Sequence, residues 1–357
     1  MLALICLLTL GVAPAPAPAL APPVPQRGAG QSHLVVITGL GGESKYREAF
    51  HEWASQIVGA AEGSGLSRSN IAYLGEKPER DPDLIGARST RENVEATLRQ
   101  LAATAAPADQ IVIVLIGHGS YRDGVARVNL PGPDMSAADF APLLDGFATQ
   151  KIVFVNAASS SGAFIQALSG PNRIIITATR SGGERYETQF GRYFAEALAS
   201  DGAGAGGAGG TGRAGGAGGA DLDKDERISV LEAFTFAQRE VERYYETDNR
   251  LATEHALLDD NGDGEGSDEP GPEAPDGALA GAVYLVSGPA ASAEQATSDP
   301  RLAALYAEKR QLEEEIEALR AIKSGMEASA YEQQLEELLV RFALNARAIR
   351  ELTEQVP

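Results

Sequence analysis

Short apolar runs alternate with amphipathic segments between residues 32 and 200. Runs such as QIVIVLI (110–116) and KIVFV (151–155) are apolar at almost every position, which is typical of strands covered on both faces of a sheet. The segment AFHEWASQIV (49–58) instead repeats its large apolar residues every three or four positions, and this spacing predicts a helix. The alternation predicts an α/β domain with a mostly parallel sheet and helices on both faces.

Two further helices are predicted from the residues at which they begin. In STRENVEATLRQLAATA, Ser89 is the predicted N-cap, and Glu92 three residues later completes a capping box. MSAADFAPLLDGF has the pattern of another capped helix. Both segments lie between predicted strands, as helices do in a parallel α/β sheet.

Two polar loops follow two successive apolar strands. The first strand runs into Gly117-His118-Gly119-Ser120, and the second runs into NAASSSG (156–162). Ligands of open α/β sheets bind beyond the carboxyl ends of the strands, so we expect the functional site there. A histidine between two glycines suits a general base, so His118 is the candidate for that role. The alternative is a turn histidine with no chemical role.

Charge and cysteine content narrow the classes of function. Acidic residues outnumber basic ones by 50 to 30, and the formal charge of -20 disfavours nucleic acid and anionic membranes as partners. The only cysteine is Cys6, which lies in the apolar segment at the start of the chain. A mature chain without that segment has neither a disulfide nor a cysteine nucleophile.

The organisation along the chain is predicted from shifts in composition. Residues 1–21 resemble a secretory signal, and 22–31 form a Pro/Gly-rich linker, so we expect an exported protein, periplasmic or secreted. No later segment is long and apolar enough to span a membrane. After the α/β domain (32–200), residues 201–220 form a Gly/Ala-rich insertion that is predicted to be disordered. Residues 221–290 hold two acidic loops and the end of the domain.

The acidic segment DLDKDERISVLE (221–232) matches the spacing of an EF-hand calcium loop. The predicted Ca²⁺ ligands are the side chains of Asp221, Asp223, Asp225 and Glu232 and the backbone carbonyl of Arg227. Glu226 departs from the pattern, because glycine is usual at the sixth position. The alternative is a solvated acidic cap on the helix that follows.

The second acidic segment, DDNGDGEGSDEP (259–270), matches only half of the calcium pattern. Asp259, Asn261 and Asp263 fit the first three ligand positions, but Pro270 stands where the pattern needs a carboxylate. This loop could complete the first site, bind a second ion weakly, or be a solvated loop. We favour the solvated loop.

The last segment, residues 299–357, repeats its large apolar residues in a 4-3 alternation. The register shifts around Ser324-Gly325, which favours two helices folded into a hairpin. The alternative is one long, stuttered helix that pairs between subunits. Either arrangement predicts a packing or interaction module, and the second would make the protein a homo-oligomer.

The loops after the two central strands resemble the clan of cysteine peptidases that contains legumain, caspases and gingipains. In that clan one strand ends in His-Gly, as it does here at His118. The next strand ends in an acidic residue, a small residue and the nucleophilic cysteine, positions that are taken here by Asn156, Ala157 and Ala158. Ser160 matches the family serine.

The stretch IIITATRSGGERYETQFGRYFAEAL is similar to the legumain branch of the clan. The resemblance covers about residues 32–200 and extends towards residue 290. It implies a caspase-like fold, and it implies peptidase activity only where the cysteine is present. A methyl group at Ala158 cannot attack a carbonyl, so cysteine-peptidase activity is not expected.

Several interpretations of the altered site remain. We favour an inactive relative of these peptidases that binds a peptide or protein. A second interpretation is a peptidase or other hydrolase in which Ser159 or Ser160 is the nucleophile and His118 the base. In a third, the protein is an assembly factor oligomerised by its C-terminal helices. The simplest alternative is that the small residues let a helix start close to the sheet, with Ser159 to Ser161 capping it.

Overall fold

The computed structural model describes residues 30–201, 219–222, 227–284, 299–321 and 327–353. The predicted signal segment, most of the linker and most of the Gly/Ala-rich insertion therefore lie outside the described residues. Within the described ranges, no helix is both long and apolar enough to cross a bilayer.

Within the described ranges, seven strands form the main sheet, and six of them run parallel. Their bounds are β1 Ser32–Thr38, β2 Ile71–Gly75, β3 Ala87–Arg88, β4 Gln110–Ile116, β8 Lys151–Asn156, β9 Arg173–Thr177 and β10 Leu257–Asp259. Their spatial order is β10-β9-β8-β4-β1-β2-β3, and only β10 pairs antiparallel with its neighbour. A small antiparallel sheet follows β4 and consists of β5 Gly119–Arg122, β6 Val125–Val128 and β7 Met135–Ser136. The mostly parallel α/β sheet predicted from the sequence is confirmed.

Helices cover both faces of this sheet. They are α1 Ser44–Gly63, α2 Arg91–Thr104, α3 Ala137–Leu144, α4 Phe164–Leu168, α5 Phe190–Asp201, α6 Val230–Thr247 and α7 Ala278–Gly281. Alternate residues of β4 point to opposite faces: Val112 and Val114 belong to the core beneath α1, α5 and α6, and Ile113 to the core beneath α2, α3 and α4. Burial on both faces explains why the strand is apolar at successive positions.

The N-cap of α2 differs from the prediction, whereas the N-cap of α3 agrees with it. Thr90, not Ser89, is the N-cap of α2, and its hydroxyl accepts a hydrogen bond from the backbone nitrogen of Asn93. Ser89 is fully buried, and its hydroxyl donates to the carbonyl of Thr38 at the end of β1 at 2.6 Å. The cap predicted for α3 is present, with Ser136 at its N-terminus.

Two long helices, α8 (Pro300–Ala321) and α9 (Ala328–Thr353), make up the described part of the C-terminal segment. They contact each other: the Asn345 side-chain amide donates to the carbonyl of Leu305 at 3.1 Å, and Arg341 pairs with Glu315 at 3.2 Å. Buried apolar side chains of these two helices include Leu302, Leu312, Ile316, Leu319 and Ile349.

Candidate functional site

His118 lies directly after β4, at the carboxyl edge of the sheet. Its half-buried ring packs edge-on against two rings of α1, with centroid distances of 4.6 Å to Tyr46 and 5.1 Å to Phe50. Burial lowers the pKa of His118 below its ordinary value of 6.5, while a backbone hydrogen bond to Gly41 and nearby carboxylates act in the opposite direction. Burial therefore favours the neutral imidazole, the state in which a histidine can accept a proton or a hydrogen bond.

The two polar loops meet at this edge because β4 and β8 are neighbours. The Ser159 hydroxyl oxygen accepts a hydrogen bond from the Gly119 backbone nitrogen at 3.1 Å. A Cβ atom on Gly119 would lie only 1.9 Å from the Ser159 carbonyl oxygen, so no other residue fits there without a backbone shift. Glycine at 119 thus lets the histidine loop and the NAASSSG loop pack together.

Ala158 is 1% exposed and belongs to the apolar core beneath α2, α3 and α4. Phe50, which contacts the His118 ring, belongs to the core on the opposite face of the sheet. The preceding Asn156 is also buried. Its side-chain oxygen accepts from the Ala158 backbone nitrogen at 3.1 Å, whereas its Nδ2 atom has no hydrogen-bond partner.

The three serines of this loop are buried and bonded to other parts of the fold. Ser159 bonds to Gly119, Ser160 donates to the Gly182 carbonyl at 3.2 Å, and Ser161 lies 3.1 Å from the Thr179 hydroxyl. Among the described residues, no hydrogen bond joins His118 to any of these hydroxyls. The serines also do not cap α4, which begins after Ala163 without a side-chain cap, so that part of the sequence interpretation is wrong.

His118 lines two adjoining cavities of about 430 and 460 Å³. The first lies between α1 and α5 and includes Trp53 and Gln56. The second is lined by Arg185, Tyr186, Tyr244, Tyr245 and Arg250. Tyr46 and Glu187 border both cavities, and the Tyr46 hydroxyl donates a hydrogen bond to the Glu187 carboxylate between them.

A buried glutamate that the sequence analysis missed supports one wall of the second cavity. The Glu254 carboxylate is 3% exposed and accepts hydrogen bonds from the backbone nitrogens of Gln189 and Phe190, at the start of α5. It also accepts from the Tyr245 hydroxyl at 3.2 Å. Burial raises the pKa of Glu254 to about 7, although these donors act in the opposite direction.

The neighbouring residue, His255, forms a second link to the same wall. Its Nδ1 atom lies 2.6 Å from the carboxylate of Glu184, and Glu184 also pairs with Arg180 at 3.2 Å. The segment 180–190 is therefore held against the segment that precedes β10. Neither link has a recognisable sequence signal, since each joins single residues about 65 to 71 positions apart.

A larger cavity, of about 1220 Å³, opens at the opposite edge of the sheet. Its lining includes His33, Asn70 and Asp109, at the amino ends of strands β1, β2 and β4, but not His118. The His33 Nε2 atom and the Asp109 carboxylate pair at 3.0 Å. Size alone does not make this cavity the functional site, because it lacks the polar loops that follow the strands.

The first acidic loop is only partly within the described residues. Asp223 and Asp225 lie outside them, whereas Asp221, Arg227 and Glu232 are described. The Glu232 carboxylate accepts from the backbone nitrogens of Leu222 and Ser229, each at 2.8 Å. Ser229 and Glu232 form a capping box at the start of α6, so this carboxylate has a local structural role.

The second acidic loop begins at Asp259, the last residue of β10. Asp259 is buried, whereas Asn261 and Asp263 are exposed and bond to each other. In the described part of the chain, no three His, Cys, Asp or Glu side chains converge to form a metal site of their own.

Comparison of the chain with models of known protein families gave no match. Comparison with curated proteins gave none either.

Proposed function

We propose that this protein is an exported, catalytically inactive relative of the legumain and caspase-like peptidases, and that it binds a peptide or protein segment beside His118. The observation that carries the proposal is the pairing of two loops at one sheet edge. The His118 loop and the NAASSSG loop follow adjacent parallel strands and are joined by the Ser159–Gly119 hydrogen bond. The strand order and the position of His118 are compatible with a caspase-like fold.

The cavities around His118 suit a polypeptide ligand. They combine aromatic surfaces from Tyr46 and Tyr186 with the guanidinium groups of Arg185 and Arg250. Aromatic and arginine side chains are the residues most enriched at the centres of protein interfaces. Tyr186 is 71% exposed at the rim, where a partner can reach it.

The positions of the possible nucleophiles support the proposed lack of catalysis. Ala158 offers a buried methyl group, and the serine hydroxyls bond to backbone groups or to Thr179. A serine nucleophile needs a base within hydrogen-bond reach, and the described contacts of His118 supply none. The serine-hydrolase interpretation therefore has no support from these contacts.

Two parts of the proposal concern the C-terminal half. We propose that Ca²⁺ binds the first acidic loop through Asp221, Asp223, Asp225 and Glu232 and the carbonyl of Arg227. The hydrogen bond from the Leu222 backbone nitrogen to the Glu232 carboxylate supports this, because at 2.8 Å it brings the beginning and the end of the loop together.

We also propose that α8 and α9 form a hairpin, since contacts run from Leu305 to Asn345 and from Glu315 to Arg341.

A second candidate function, self-assembly, has one observation in its favour. The side chains of Leu339, Val340 and Leu344 on α9 are 45%, 54% and 61% exposed. A second copy of the chain could cover this apolar strip. Its test is the mass of the purified protein in solution, which should fall to that of a monomer when all three are replaced by Gln.

The test of peptide binding is affinity selection of a randomised peptide library on the purified full chain. Tyr186→Ala should lower the retention of selected peptides at least tenfold. Leu251→Ala is the matched control, because Leu251 is 90% exposed and does not line either cavity. Equal retention by both variants and the wild type would place the binding surface elsewhere.

A further inference from the structure

Three buried aspartates lie in and beside the second acidic loop. Asp259, Asp260 and Asp276 are 1%, 9% and 3% exposed. In the part of the chain that the structure describes, none of them forms an ion pair. Buried charges in proteins are normally paired or bound to a metal, so this concentration of negative charge needs an explanation.

Two of the three carboxylates each accept two hydrogen bonds from backbone nitrogens. Asp260 accepts from the nitrogens of Gly277 and Ala280 at 2.8 and 2.7 Å, at the start of α7. Asp276 accepts from the nitrogens of Asp260 and Asn261 at 3.0 and 3.3 Å. These bonds close the loop, but they leave its charge in place.

Asp259 differs because one of its two carboxylate oxygens has no hydrogen-bond partner. Its Oδ1 atom accepts from the Gly262 nitrogen at 3.1 Å, whereas its Oδ2 atom is buried without a hydrogen-bond partner. Buried polar atoms are satisfied in most native structures, and a carboxylate oxygen can be satisfied by a donor, a water or a cation. The negative charge of the neighbouring aspartates favours the cation.

The segment packed against this loop also carries an unsatisfied oxygen. Ser169, directly after α4, has a buried hydroxyl without a partner. The loop packs closely on this segment: a Cβ atom on Gly264 would lie 3.9 Å from the Ser169 Cβ, and one on Gly262 would lie 3.3 Å from the Gly170 carbonyl oxygen. Two segments in contact thus each bury one polar oxygen without a partner.

We propose that a divalent cation, Ca²⁺, binds between the loop 259–264 and the end of α4, with the Asp259 Oδ2 atom as a ligand. Calcium takes six to eight oxygen ligands from carboxylates, carbonyls, amides and water, so three convergent carboxylates are not required. The groups around the loop are hard oxygen donors, which Ca²⁺ prefers over nitrogen and sulfur. The proposal uses no ligand of the first acidic loop and does not depend on peptide binding beside His118.

The experiment measures calcium binding to the full chain by calorimetry after treatment with a chelator. All proteins compared carry Asp221→Asn, which removes a predicted ligand of the first loop. The protein with this substitution alone is the parent. Asp259→Asn should lower calcium affinity at least tenfold. Asp268→Asn is the matched control, because Asp268 is exposed in the same loop and its side chain makes no bond among the described residues. Unchanged affinity in Asp259→Asn, or no calcium binding by the parent protein, would overturn the proposal.

Melting temperatures separate a ligand from a residue that only shapes the loop. If Asp259 binds calcium, the ion raises the melting temperature of the parent and of Asp268→Asn but not of Asp259→Asn. If Asp259 only holds Gly262, calcium has the same effect on all three proteins, and the proposal is wrong. Should Asp259→Asn fail to fold, hydrogen exchange of the parent decides: calcium must slow exchange at the Asp260 and Gly262 amides, and unchanged rates would overturn the proposal.

Discussion

The hydroxyl oxygen of Ser159 lies 3.1 Å from the backbone nitrogen of Gly119 and accepts its hydrogen bond. This contact joins the two loops that carry the polar residues of the candidate site. A hydroxyl used in this way stabilises the loops, and among the described residues it makes no hydrogen bond to the His118 ring. The geometry thus gives Ser159 a structural role.

Replacing Ser159 should therefore change stability. Ser159→Ala leaves the Gly119 nitrogen without a partner in a partly buried place, which costs about 1–3 kcal/mol of unfolding free energy. Urea unfolding measures this loss. Ser120→Ala, in the neighbouring strand β5, is the control and should cost less than about 0.5 kcal/mol. Equal effects of the two substitutions would contradict the structural role of Ser159.

A cysteine introduced at position 158 should be chemically inert. Ala158 is 1% exposed among apolar side chains, and such surroundings raise the pKa of a thiol and keep reagents away. We expect Ala158→Cys to react slowly with iodoacetamide unless the protein is unfolded, and to cleave no peptides. A fast-reacting thiol in the folded protein would instead indicate that the catalytic geometry of the clan is intact.

The buried Glu254 should make stability fall as pH rises. Its pKa in the folded protein is about 7, against 4.5 when exposed, so the protonated form is the one that folding favours. The stability it contributes is complete below about pH 4.5 and is lost as pH rises through 7. This shift in the pKa of Glu254 corresponds to roughly 3 kcal/mol of unfolding free energy.

The measurement compares wild type and Glu254→Gln by urea unfolding between pH 4.5 and 8. The wild type should lose stability relative to the variant across this range, because glutamine carries no charge at any pH. Glu246→Gln, at an exposed position near the end of α6, is the control and should show no such trend. A constant difference between wild type and Glu254→Gln would show that burial does not perturb this carboxyl.

Ser229 should stabilise α6 without any contribution from calcium. Its hydroxyl accepts from the Glu232 backbone nitrogen at 3.2 Å, as an N-cap does. Ser229→Ala should cost about 1 kcal/mol of unfolding free energy in chelator, as loss of an N-cap does.

If calcium binds the first loop, Asp221→Asn should reduce stability mainly in the presence of calcium. Identical calcium dependence in wild type and Asp221→Asn would remove the support for that site.

The sheet was predictable because its signal is repeated along each strand. β4 and β8 are apolar at successive positions, and each is followed by a polar loop. A strand of three residues such as β10 has too few positions to show a pattern, and its antiparallel pairing depends on contacts with distant β9. The small sheet of β5, β6 and β7 was missed for the same reason.

The candidate site was predictable only in part. His118 and the NAASSSG loop were identified because both follow apolar strands, and their closeness follows from the parallel sheet. Whether the serine hydroxyls face His118 or the backbone depends on side-chain directions that a sequence pattern does not fix. Glu254 and Asp276 were missed because their surroundings are assembled from segments distant in the chain.

The most direct test of the account is exposure of the purified protein to a mixed peptide library, with and without millimolar calcium, followed by mass spectrometry. His118→Ala is measured alongside. We expect the wild type to retain peptides, which are recovered intact under both conditions. Cleavage products that disappear with His118→Ala would contradict it, because they would show a peptidase activity that depends on His118.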